Sequence, residues 1–208
     1  IRLEGPDCMN NQCDGIFTGI DYYTNPTQPS ELPNTGNGIH LLNGAHHNLL
    51  GSRTLGGFGE RGGIVANDGA GILIDGEESS FNTINRMNIG DNFSAVVGGG
   101  TGRFPNGTHG IHLRNGTHDN VLGAAHSFLD LHISAQPNGA GILIEGDGTD
   151  FNQIFGNQIG TDHGDRPSGD GRLEVGIWIR DGAQGNVVGE LGDFLQVQSG
   201  NFDPFRPF

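Results

Sequence analysis

The chain has 208 residues and carries 24 acidic side chains against 10 basic ones, a formal charge of −14 at pH 7. All ten basic residues are arginines, and lysine does not occur. So acidic a surface argues against nucleic acid and anionic membrane as partners, because both are bound through basic patches. The length fits one domain, and no apolar run is long enough to cross a bilayer as a helix.

Residues 1–35 are the least repetitive and read as an irregular cap. Ile16, Ile20, Tyr22 and Tyr23 supply apolar content there, while Pro26, Pro29 and Pro33 mark a loop. Cys8 and Cys13 are the only cysteines. They read as a small disulfide loop, ahead of free thiols or a partial metal site, since zinc wants four ligands. A disulfide implies an oxidising compartment. The missing initiating Met fits a mature, processed or excerpted secreted chain.

From 36 to 190 one pattern recurs. Gly38-Ile39-His40-Leu41, Gly110-Ile111-His112-Leu113 and Gly176-Ile177-Trp178-Ile179 are followed 10 residues after the Gly by Asn48, Asn120 and Asn186. A sister version, Gly71-Ile72-Leu73-Ile74 and Gly141-Ile142-Leu143-Ile144, reaches Asn82 and Asn152 after 11. The two versions alternate, so the full period is a pair: Gly38 to Gly110 is 72 residues, Gly71 to Gly141 is 70. Each segment alternates as a strand does, is too short for a helix, and is bracketed by Gly and Asn. Strands recurring at a fixed period bury their apolar face by stacking on the next repeat. About six coils are expected, the first at Gly15-Ile16, with Ile39/Leu41 to Ile177/Ile179 pointing inward on rungs about 4.8 Å apart. The asparagines are expected to stack at one corner and bond rung to rung.

Leu73, Leu143 and Trp178 fall at outward positions beside His40 and His112. Outward apolar groups mark a loop folded across the face or a contact with another protein. His46, His47, His118 and Asp119 lie in the turns before the Asn corner. The inserts 52–69, 91–109, 124–139 and 160–175 are expected on one side, where function would sit. In the last of them Asp162, Asp165 and Asp170 could offer oxygen ligands to calcium, or simply form a solvated loop. With Asp147 and Asp150 one segment earlier, a carboxylate pair for glycoside hydrolysis also stays open. Asn92, Asn106 and Asn115 head glycosylation acceptor triplets. Residues 191–208 begin strand-like and end in an aromatic tail, where Phe202, Phe205 and Phe208 read as a plug or a sticky end.

Gly182-Ala183-Gln184-Gly185-Asn186-Val187-Val188-Gly189 and Asn157-Gln158-Ile159-Gly160-Thr161-Asp162 resemble the parallel β-helix repeat family, in its Gly/Asn-rich bacterial cell-surface type. The resemblance covers about residues 36–190. It implies an all-β, right-handed parallel β-helix and a cell-surface or secreted location, and it fixes no activity. Polysaccharide lyases of this fold commonly use a basic residue as the base; lacking lysine, this chain would have to use Arg172 or Arg180. Two readings follow. One is an extracellular structural or adhesive module, self-associating end to end or laterally. The other is a carbohydrate-active or carbohydrate-binding module, with polysaccharide lying near Trp178 and the 160–175 insert.

Overall fold

The computed structural model describes residues 1–21, 30–52, 62–90, 104–124, 131–134, 136–160 and 173–189. Among them there are strands and turns and no helix, hence no helix long and apolar enough to cross a membrane. Among the described residues three parallel sheets lie along the stack, two of six strands and one of five. The first is β1 (Arg2–Glu4), β6 (Ile39–Leu42), β9 (Ile72–Asp75), β12 (Ile111–Arg114), β15 (Ala140–Glu145) and β18 (Val175–Arg180), in that order. The second is β2 (Gln12–Cys13), β7 (Leu49–Leu50), β10 (Thr83–Ile84), β13 (Val121–Gly123), β16 (Gln153–Phe155) and β19 (Val187–Val188). The third is β3 (Phe17–Thr18), β8 (Gly62–Ile64), β11 (Met87–Ile89), β14 (His132–Ile133) and β17 (Gln158–Ile159). The chain visits the sheets in rotation, so the fold is a parallel β-helix. A small antiparallel pair, β4 (Ile20–Asp21) with β5 (Ser30–Glu31), stands beside the first coil.

Register does what the repeat requires. Ile39, Ile72, Ile111, Ile142 and Ile177 superpose, as do Leu41, Ile74, Leu113, Ile144 and Ile179. All but the last pair are fully buried. Gly38, Gly71, Gly110, Gly141 and Gly176 share one position at the start of this sheet's rungs, and at Gly71, Gly110 and Gly141 the next rung's backbone comes close. A Cβ on Gly110 would lie 2.5 Å from the Gly141 carbonyl oxygen.

Each corner is closed by side-chain amides, which satisfy turn groups that water cannot reach. Between first and second sheets, Asn11, Asn48, Asn82, Asn120, Asn152 and Asn186 form one continuous ladder. The backbone and side-chain nitrogens of each donate to the next Oδ1, at 3.0 and 2.9 Å for Asn11 on Asn48 and 2.9 and 3.0 Å for Asn152 on Asn186. Between third and first sheets, Asn34, Asn67, Asn106 and Gln136 repeat the device. Between second and third, Asn85 and Asn157 accept from the Ser52 and Leu131 amides.

The 10- and 11-residue versions differ by one turn residue. Coils two, four and six turn on successive left-handed pairs, Asn43-Gly44, Asn115-Gly116 and Asp181-Gly182. Coils one, three and five use a left-handed Gly5, Gly76 or Gly146 followed by two more residues.

Several expectations are corrected. Residues 1–18 form a complete first coil that opens at Arg2, and Gly15-Ile16 leads into its third strand. Cys8 and Cys13 are free thiols, not a disulfide. Cys13 fills the column of Leu50, Ile84 and Leu122, while Cys8 closes the turn as Ala45 and Ser79 do, so the two pack against the core at separate places. The long connections, as expected, belong to one side of the stack: β7–β8 and β13–β14 lead into the third sheet and β11–β12 and β17–β18 lead out of it.

Candidate functional site

Two outward columns run along the first sheet. One reads Arg2, His40, Leu73, His112, Leu143, Trp178, and the other Glu4, Leu42, Asp75, Arg114, Glu145, Arg180. The second column alternates in sign from Asp75 onward. Arg114 Nη2 donates to Asp75 Oδ2 at 2.8 Å. Glu145 receives Arg180 Nε on one oxygen at 2.8 Å and meets His112 Nε2 at 2.8 Å on the other. Burial, the largest single influence, would raise both carboxyls, but the arginine hydrogen bonds, a second hydrogen bond from Asn115 or His112 and the neighbouring positive charges together outweigh it and hold them below the usual carboxylate range. For His112 burial dominates, so its pKa is lowered despite Glu145, and at neutral pH the imidazole donates Nε2–H as an uncharged group. His109, edge-on to it with centroids 5.2 Å apart, accepts the Ala140 amide at Nδ1 and is likewise held low by burial.

Of the outward apolar residues Leu73, Leu143 and Trp178, only Trp178 is exposed, at 36%; the leucines are 5% and 1% exposed. Each leucine sits between large side chains one rung away, His40 and His112 for Leu73, His112 and Trp178 for Leu143. Trp178 itself carries the Arg180 guanidinium 4.4 Å above its ring. This face is therefore a tied-up polar network with an occupied aromatic at its end.

Asp162, Asp165 and Asp170 lie outside the described residues, as do Phe202, Phe205, Phe208 and Asn92. Among the described residues no group of three or more His, Cys, Asp and Glu side chains converges as a metal site would. Asn106 is buried and bound into its corner ladder, which removes it as a glycosylation acceptor. Asn115 is exposed, but its amide donates to Asp75 at 2.7 Å.

A different surface stands out at the corner before the Asn ladder. Every coil there holds one left-handed residue: Asn10 (φ 58°), His47 (54°), Phe81 (54°), Asp119 (53°), Phe151 (56°) and Gly185 (63°). Phe81 is 49% exposed and Phe151 59%. His47 stacks on Phe81 with centroids 5.1 Å apart, and His118 meets Phe81 edge-on at 5.9 Å. Beside these rings runs an open groove of about 450 Å³, lined by Asn10, His47, Leu49, Phe81, Thr83 and Asn85. On the neighbouring turns, Glu77, Glu78, Asp147 and His118 border an acidic hollow of about 410 Å³. Sequence reasoning reached His47 and His118 but not the phenylalanines. The available signal was that each ladder Asn is preceded by a residue in the same phase, and that Phe81 and Phe151 share it. Comparison with protein-family models, curated proteins and solved structures finds no match to this chain.

Proposed function

We propose that the chain is an extracellular structural or adhesive module whose task is to present a rigid coil stack, extended end to end by further copies. One observation carries this reading: the six coils comprise three long–short pairs, so after the sixth the alternation calls for a long-turn coil such as the first. The side chains at the two ends fit that continuation. In the same register, Glu4 of one copy falls on Arg180 of another, extending the alternating charges, and Arg2 falls on Trp178. By the ladder's repeat, the Asn186 nitrogens would donate to a next Oδ1, the role that Asn11 Oδ1 would fill, beside the bond Asn186 Nδ2 already makes to the Thr149 carbonyl. Inward residues of the sixth rung, Ile179 and Val188, are exposed. Joining like this is heterologous and does not close, so it propagates.

Sedimentation and electron microscopy of the 208-residue chain test the reading. Elongated particles whose length grows with concentration are expected. Particles one stack long at every concentration would overturn it.

A further inference from the structure

We propose that the corner strip formed by His47, Phe81, His118 and Phe151 is a binding site for a neutral polysaccharide. This corner demands a left-handed residue in every coil, and asparagine, aspartate and glycine supply it at little cost in Asn10, Asp119 and Gly185. Phenylalanine is poorly suited to that conformation, because its bulky side chain crowds the backbone. Burial does not offset the strain, since both rings are half exposed. Aromatics held in a strained conformation and left half exposed to solvent are candidates for contact with a ligand.

The arrangement indicates which ligand. Phe81 and Phe151 sit in coils three and five, two rungs apart, hence about 9.6 Å from one another along the axis. Rings repeated along a straight edge at that spacing offer flat faces to alternate units of an extended linear polysaccharide. His47 stacks on Phe81 at 5.1 Å and so braces the ring. Phe151 lies over Gly185, where a Cβ would come within 2.6 Å of its Cε1, so the glycine leaves room for the ring. Thr83, Asn10 and Asn85 set hydroxyl and amide groups beside Leu49 and the Phe81 ring, a mixed lining that suits a sugar's hydroxyls and its apolar ring face together. Charge decides between classes of polymer. The adjacent hollow carries Glu77, Glu78 and Asp147, and the chain has a net charge of −14, so polyanions are repelled.

Affinity electrophoresis and calorimetry of the whole chain with mannan, xylan and a soluble β-glucan, beside polygalacturonate and alginate, provide the test. Retardation by at least one neutral polymer, and by neither acidic one, is expected. Phe81→Asn and Phe151→Asn should each weaken that binding on the order of tenfold or more, as loss of a central aromatic contact does. Because asparagine tolerates this backbone, both variants should melt at or above the native temperature. Four results overturn the proposal: no neutral polymer binds; only acidic polymers bind; binding survives the double variant; or melting falls on substitution, which would make the rings structural. Loss of binding in Trp178→Ala with retention in the Phe variants would place the glycan on the first sheet and overturn it too. The strip runs along the side of the stack, so each of these outcomes leaves the end-to-end reading standing.

Discussion

Asn120 accepts from the backbone and side-chain nitrogens of Asn82 on one oxygen, at 2.9 and 3.1 Å, and donates to Thr117 Oγ1, the His118 carbonyl and Asn152 Oδ1. It is fully buried, so each lost partner leaves a polar group that water cannot reach. Asn120→Ala is expected to cost about 3 kcal/mol or more, several orphaned groups at roughly 1–3 kcal/mol each. Asn186→Ala, half-buried on the last rung, should cost clearly less; urea unfolding of the two variants checks the contrast. Protonation gives a second expectation. Burial holds His40, His109 and His112 below their ordinary value, so the unfolded chain takes up protons first as pH falls below about 6.5. The stability present above that pH is lost as pH falls toward the depressed folded values. Asp75 and Glu145 are also depressed, and their contribution fades in turn as pH falls below the ordinary carboxylate range near 4. Melting temperature should therefore decline steadily from pH 7.5 downward, and His112→Gln should flatten the upper part of that decline. A flat profile between pH 7.5 and 5 would contradict the burial of these imidazoles.

Within each strand, glycine and branched residues divide the labour. Gly110→Ala drives a methyl to 2.5 Å from the Gly141 carbonyl, so the rungs must part and the whole coil suffers. Gly176→Ala meets nothing nearer than Ile159 Cγ2 at 3.7 Å and has no left-handed φ to relieve. Circular dichroism melts should thus show severe loss for the first and a change of under about 1 kcal/mol for the second. Much of this was legible in the sequence, because Gly-Ile-x-Ile and the trailing Asn state the inward column and the corner ladder directly. What escaped did so for identifiable reasons. The strand Arg2–Glu4 lacks the glycine start and has a charge at each outward place, so it resembles surface loop, although Asn11-Gln12-Cys13 carries the ladder residue. The His112–Glu145–Arg180 cluster joins residues 33 and 35 apart, neighbours only through register. The burial of Leu73 and Leu143 depends on the size of the side chains above and below them, and an outward position alone does not convey that.

At the scale of the whole molecule the two thiols become a register gauge. Cys13 and Val188 occupy one column at opposite ends of the stack, and Cys8 and Ala183 another. Copies joined in register would bring Cys13 of one beside residue 188 of the next at about 4.8 Å, within disulfide range. Val188→Cys should then give a ladder of covalent oligomers through Cys13, and Ala183→Cys a ladder through Cys8, read by mass spectrometry of the linked peptides. Links between two copies of residue 188 would reveal a different junction, and their absence in elongated particles a different register. The alternating turns carry one more consequence. Deleting or duplicating a single coil sets two turns of equal length side by side and breaks the match from there on. Reach can therefore be altered only by even numbers of coils, about 70 residues and 9.6 Å per step, like a ruler marked solely at every second division.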